Sequence, residues 1–311
     1  MEKRVTQLGR SKNLLLPRLI FKKSLFKYLF LLPALLYVLI FMIYPIAYNI
    51  ILSFQDVTLM NLGAGGSFIG IENYVQVLQN PLFLAALGNT LIYTVSCIVL
   101  QFGIGFLLAL FFNQDFPFRN FFRSILLLAW MTPMVITGTL FTWLLDVDYG
   151  IINYLLIQLG FIDQSVNWLG QQSTALFAVI VTNVWIGIPF NMILILAALQ
   201  SLPKDIYEAA RIDGASKIRS FFSLTLPLLK PSLLVILVLG IIYTFKVFDL
   251  ILIMTGGGPV NSTYVLPFYA YELAFVNYEF SLSGVVSTVI LVILTFVALI
   301  YIYLSRKEET E

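Results

Sequence analysis

Apolar residues fall in six long blocks, near residues 28–52, 84–112, 124–145, 175–199, 232–254 and 282–304, separated by more polar stretches. Each block is close to the ~20 residues that an α-helix needs to cross a ~30 Å hydrocarbon layer. Inside lipid the backbone must satisfy its own hydrogen bonds, so the blocks are predicted as helices. The short alternating segments of a membrane barrel are not seen. The expected fold class is all-α, a polytopic membrane protein with six transmembrane helices. Pro33 and Pro45 interrupt the first block, Gly103 and Gly105 the second, Pro133 and Gly138 the third, and Gly187 and Pro189 the fourth. In membrane helices such residues mark kinks or close packing, and ordinary packing accounts for each of them.

Composition agrees with this pattern and charge adds an orientation. The chain is 60% hydrophobic and 11% charged, against ~25% charged residues in soluble domains. The N-terminal segment carries Lys3, Arg4, Arg10, Lys12, Arg18, Lys22, Lys23 and Lys27. The second loop has Arg119 and Arg123, the fourth has Lys204, Arg211, Lys217, Arg219 and Lys230, and the C-terminal tail has Arg306 and Lys307. The first, third and fifth loops have no Lys or Arg. Basic loops stay in the cytoplasm, so both termini are expected to be cytoplasmic. An odd number of spans would scramble this alternation. The basic N-terminal segment is assigned to topology and contact with the anionic lipid bilayer, with no nucleic-acid partner. The first block is too long for a signal-peptide core and lacks a small-residue cleavage site, so it is expected to be retained. The organisation is then a cytoplasmic tail, 1–27, a membrane domain, 28–304, with a cytoplasmic loop at 201–231, and a second cytoplasmic tail, 305–311.

Several chemistries are disfavoured. The single cysteine, Cys97, lies inside the second block, so no internal disulfide forms. There is no histidine, which removes the commonest general base and metal ligand. Asp146 and Asp148 in the third loop resemble a metal or acid pair, but turn caps explain them better, because no third ligand converges in sequence. Gly256-Gly257-Gly258-Pro259 reads as a turn, since it lacks the Lys-Ser/Thr of a phosphate-binding loop. No cofactor is expected in this chain. An intramembrane enzyme would need a nucleophile with a visible base, and none is found.

The segment 201–231, SLPKDIYEAARIDGASKIRSFFSLTLPLLKP, is too polar to span. It reads as two short helices broken at Asp213-Gly214. Ser201 and Ser216 are candidate caps, with Pro203 near the first turn. Asp205 and Glu208 suit a helix N-terminal region. Gly214 suits the left-handed position that ends a helix, and Pro227 and Pro231 are expected to stop or bend the chain as it re-enters the membrane. Small residues on an exposed helix, Ala209 and Ala210, allow another surface to approach closely.

In its order of Glu208-Ala209-Ala210, then Gly214, then Leu226-Pro227, this segment resembles the EAA loop of ABC importer permeases, the binding-protein-dependent transport family. A second stretch, Phe248-Asp249, Thr255-Gly256-Gly257-Gly258-Pro259 and Ser262-Thr263, is similar to carbohydrate-uptake members. The resemblance implies that Glu208, Ala209, Ala210, Asp213 and Gly214 couple to an ATPase. It also implies a second homologous permease subunit, two ATPase subunits holding the ATP and magnesium, and an extracytoplasmic sugar-binding protein. The chain itself would catalyse nothing. It would form half of the path for a sugar or oligosaccharide in a bacterial or archaeal cytoplasmic membrane. Glycerol phosphate or another small polar solute is the alternative cargo, and an ion-coupled secondary transporter is the alternative class. Candidate path residues are Asn183, Trp185, Asn191, Tyr243, Lys246, Phe248 and Asp249, each of which has packing or lipid-belt placement as its ordinary role. Lys246 and Asp249 are intramembrane charges three residues apart, which places them on one face of a continuous helix. They are expected to face protein or water, and to contact substrate or only each other.

Overall fold

A computed structural model describes residues 30–61, 63 and 65–310, with side chains described as far as residue 306. The basic segment 1–27 and its expected contact with lipid lie outside these residues. The chain divides into two units, Met1–Ile51 and Leu52–Glu311.

The described part of the first unit lies within a single apolar helix, α1 (Phe30–Leu52). It contains a π-helical turn at Leu39–Ile43. The carbonyl that Pro45 would crowd belongs to Phe41, four residues earlier, inside that wide turn. A π turn lets a helix pass a proline without stopping.

The second unit begins with a two-residue antiparallel pair, β1 (Gln55–Asp56) with β2 (Ser67–Phe68), and a short helix, α2 (Glu72–Gln79). Asn73 of α2 donates to the backbone oxygens of Ser53 and Gln55, at 3.0 and 2.9 Å. The spans α3 (Pro81–Phe112) and α7 (Gln172–Gln200) are the main packed pair. Gly105 lets their backbones approach, because a Cβ there would stand 2.8 Å from Asn191 Cβ. Between them run α4 (Arg119–Met131), α5 (Met134–Leu144) and α6 (Ile151–Gln158). After α7 come α8 (Lys204–Ile212), α9 (Lys217–Phe245), α10 (Asp249–Met254), α11 (Leu266–Phe275) and α12 (Phe280–Thr310).

Five of the described helices, α1, α3, α7, α9 and α12, are long and apolar enough to cross a membrane unbroken. The third apolar block departs from the expected single helix. It is the pair α4 and α5, bent by 96° at Thr132-Pro133. Thr132 is extended, with ψ 129°, because a residue before proline is kept out of the helical region by the ring.

The fifth block differs in the opposite sense. Pro227 and Pro231 do not stop the chain, and the second loop helix is the first part of α9 itself. A π turn at Phe221–Thr225 contains Ser223, four residues before Pro227, so the helix passes this proline as α1 passes Pro45. The true break comes later, at 246–248, where no Pro or Gly stands. It turns the chain so that Phe245 and Val247, which a continuous helix would point in different directions, are both buried.

Three short helices, α2, α6 and α11, were not expected from the apolar pattern. Helix α11 has ten residues, too few to span, and buries Leu266, Phe268, Tyr269 and Leu273 against α12 and α3. In the third loop Asn153 ties the chain together: its amide nitrogen donates to Asp146 O and Val166 O, and its oxygen accepts from Val166 N and Trp168 Nε1. Asp146 Oδ1 accepts from the backbone N–H groups of Asp148 and Tyr149, at 2.8 and 3.2 Å, which is the turn-capping role.

Candidate functional site

Two places gather the expected residues. The first is the elbow between α8 and α9. Gly214 has φ +79°, and its N–H bonds to Arg211 O at 3.1 Å while Ala215 N–H bonds to Ala210 O at 2.9 Å. This pair of bonds satisfies the last carbonyls of α8, and it needs the left-handed residue that glycine provides. Ser216 Oγ accepts from Arg219 N–H at 3.3 Å and caps α9 as expected. Ser201 does not cap α8. Its hydroxyl bonds back to Ala198 O at 2.8 Å and closes α7, and the residue before α8 is Pro203.

Helix α8 presents two faces. Tyr207 and Ala210, three apart, are half-buried against the subunit, and Tyr207 Oη donates to Thr225 Oγ1 at 2.9 Å, inside the π turn. Glu208, Ala209, Ile212, Asp213 and Gly214 are exposed, Ile212 by 87%. Of the two alanines expected to admit a partner, Ala209 therefore faces outward and Ala210 faces inward.

The second place is a cavity of about 220 Å³ between α3, α4, α5, α7 and α9, at Gln101 of α3. It lies at the junction of two buried apolar clusters, one containing Tyr93, Val184 and Phe245, the other Ala109, Met192 and Leu229. Three carboxamides are in the lining, Gln101, Asn183 and Asn191. Gln101 Nε2 donates to Asn183 Oδ1 at 2.6 Å and to Asn183 O at 3.0 Å, and Asn191 Nδ2 donates to Gly187 O at 2.9 Å. Gly187 is what admits Gln101, since a Cβ there would overlap the carboxamide. Three aromatic rings join them: Trp130 stacks on Phe190 at 5.5 Å, and Phe190 meets Tyr243 edge-on at 6.2 Å. No Lys, Arg, Asp or Glu is in the lining.

Asn183, Asn191 and Tyr243 of the expected path residues line this cavity. Trp185 does not; it packs on Phe141 at 5.5 Å. Phe248 packs on Tyr271 at 4.8 Å and Phe268 at 6.2 Å, away from the lining. Lys246 and Asp249 do not share a helical face, because the break at 246–248 separates them, and they form no ion pair among the described residues. Both are exposed, and Lys246 Nζ lies 5.6 Å from the centre of the Tyr243 ring, a cation–π contact. Gln101, Trp130 and Phe190 went unnoticed in the sequence. Gln101 carries a usable signal, an amide in the middle of an apolar span; the two rings carry none that separates them from other aromatics.

Loop residues gather at the two ends of α3. Residues of the second and fourth loops, Arg119 with Lys204, Arg211 and Lys217, line one crevice. Residues of the first and fifth loops, Gln76 and Asn80 with Asn261, Tyr264 and Glu272, line a pocket at the other end of α3. There Tyr264 donates to the Glu272 carboxylate, and burial, followed by that carboxylate, raises the tyrosine pKa.

The sequence profile of the binding-protein-dependent transport system inner membrane component family matches residues 101–308. The chain is 35% identical to the trehalose/maltose transport system permease MalF of Thermococcus litoralis, over 94% of this chain and 98% of that one. It is 34% identical to the sulfoquinovosyl glycerol transport system permease SmoG of Agrobacterium fabrum, over 90% of each. A solved bacterial ABC transporter involved in the import of the acidic polysaccharide alginate contains a chain with the same fold, at TM-score 0.79 and 25% identity, covering 92% of this chain and 96% of that one. The profile covers residues 101–308 and the relatives run nearly end to end, and both include the elbow and the cavity, so the chain belongs to the binding-protein-dependent transport family of multi-pass membrane permeases.

Proposed function

We propose that the chain is one of two transmembrane subunits of an ATP-driven importer, and that its cargo is a neutral sugar or short oligosaccharide. The observation that carries this reading is the uncharged cavity, lined by both aromatic rings and carboxamides. Aromatic faces pack on sugar rings and amides bond hydroxyls. The relatives span neutral and anionic saccharides by name, and a lining without a cation favours the neutral ones. The same argument disfavours glycerol phosphate. Membership of the binding-protein-dependent transport family stands against an ion-coupled carrier.

The cavity is smaller than the ~300–1,000 Å³ of complete ligand pockets. Its Tyr243 and Trp130 are 65% and 48% exposed, so a second permease supplies the facing wall. The exposed face of α8 lies in a groove of a partner ATPase, as an amphipathic helix does. ATP-driven closure of two such ATPases shifts the subunits between inward- and outward-facing states, and the loaded binding protein and ATP favour one of them. The test is ATPase stimulation of the complete complex with its binding protein. Neutral oligosaccharides should stimulate at least about tenfold more than uronic-acid oligosaccharides, a difference of ~1.4 kcal/mol. Equal stimulation by the acidic set would sink the neutral-cargo reading.

Orientation has its own test. Ser67, Gln164, Asn261 and Lys217 are all exposed, and the native Cys97 is buried and silent. Cysteine at the first three positions should react with an impermeant thiol reagent in intact cells, and cysteine at Lys217 should react only after lysis. Labelling of the Lys217 position in intact cells would reverse the assigned sides.

A further inference from the structure

The crevice beside α8 has a volume of about 890 Å³ and is separate from the mid-membrane cavity. Its cations come from three elements: Arg119 opens α4, Lys204 and Arg211 stand on α8, and Lys217 opens α9. The one carboxylate in the lining, Asp115, is already bridged to Arg119. Lys204, Arg211 and Lys217 enter no ion pair among the described residues. Like charges gathered round one hollow repel each other, and the arrangement becomes favourable when a counter-charge sits among them. A guanidinium fork matches two phosphate oxygens at once, and ammonium groups add point charges.

Depth narrows the choice. The lining includes Leu110 and Leu199, at the ends of the spans α3 and α7, which is the level of the polar headgroups of a bilayer. We propose that this crevice binds a phosphate-bearing anion, either the headgroup of an acidic phospholipid or a soluble phosphomonoester. Two of its four cations ride on α8, and the others belong to α4 and α9. An occupant therefore ties α8 to the bundle beside the Tyr207–Thr225 bond and restrains the element that a partner ATPase would move. This site is independent of the cargo proposed above.

The experiment uses the assembled complex in nanodiscs of phosphatidylcholine. One arm adds phosphatidylglycerol and counts the lipids retained on the complex by native mass spectrometry. The other adds methyl phosphate and measures its retention by equilibrium dialysis. Wild-type complex should retain one of the two probes, and the retaining arm identifies the source. Lys204→Gln with Lys217→Gln should weaken that retention at least tenfold, while Lys204→Arg with Lys217→Arg should restore it, which separates lost charge from lost fold. The retention should also fall as salt is raised. Equal retention by the wild-type and the Gln variant in both arms, or no retention in either, would overturn the proposal. So would a hollow filled by a carboxylate of the ATPase, since neither phosphate probe would then be held.

Discussion

Replacing Ala209 by Trp is expected to reduce transport by about a hundredfold or more, equivalent to ~2.8 kcal/mol of lost association, without removing the subunit from the membrane. On α8 the residues Ile206, Ala209 and Ile212 recur at helical spacing, and all three are exposed. An apolar stripe that the subunit does not cover is the face proposed above to lie in a partner's groove. Trp at its centre holds the two surfaces apart, whereas Ser at the same position is small enough to be tolerated. Co-purification of the ATPase with the membrane subunits, alongside import, is the measurement. Ala210 makes the control informative. It faces inward, and its carbonyl closes the α8 terminus, so a large residue there would damage the elbow itself. Wild-type import by the Ala209→Trp variant would remove this face of α8 from the docking surface.

The second large effect is expected at Gly187. A methyl group there overlaps the Gln101 carboxamide, which must swing away and give up both bonds to Asn183. Gly→Ala in a helix gains up to ~1 kcal/mol, and leaving buried amide groups unsatisfied costs ~1–3 kcal/mol. The opposing terms leave stability only modestly lowered. The carboxamide lining of the cavity is nonetheless rebuilt, and import should fall by about ten- to a hundredfold, ~1.4–2.8 kcal/mol. Gly103→Ala is the matched control. It lies on the same span as Gln101, and a Cβ there meets nothing within 4 Å. Import rates and thermal midpoints of the two variants decide the matter. Normal import by Gly187→Ala would take the Gln101–Asn183 pair out of the path.

The apolar blocks were legible because hydrocarbon leaves so few solutions: a segment of that length and apolarity has to be a helix. The Gly214 elbow was legible because local bonding alone decides it. Breaks were legible only in part. Pro133 was visible but read as packing, although the residue before a proline is kept out of the helix, and 246–248 contains neither Pro nor Gly, its break following from what Phe245 and Val247 bury. Pro227 misled in the other direction, because a preceding π turn is not encoded in any single residue. In the cavity, Asn183 and Asn191 stand out as amides in an apolar span. Trp130 and Phe190 do not, in a chain with 27 Phe and 4 Trp; only the fold shows which rings converge.

Helix α9 has a mechanical consequence. It is continuous through 29 residues, about 43 Å at 1.5 Å per residue, with a π turn at Phe221–Thr225 and Pro231 within it. Lys217 and Ser220 at one end line the crevice beside α8, and Gly240, Tyr243 and Thr244 near the other line the cavity. A rod of that length, pivoted at one end and tilted by about 5°, carries its far end about 4 Å, more than the width of an aromatic ring is thick. Under the proposed coupling, a stroke applied at the elbow would have a continuous helical path to Tyr243, ending at the break at 246–248.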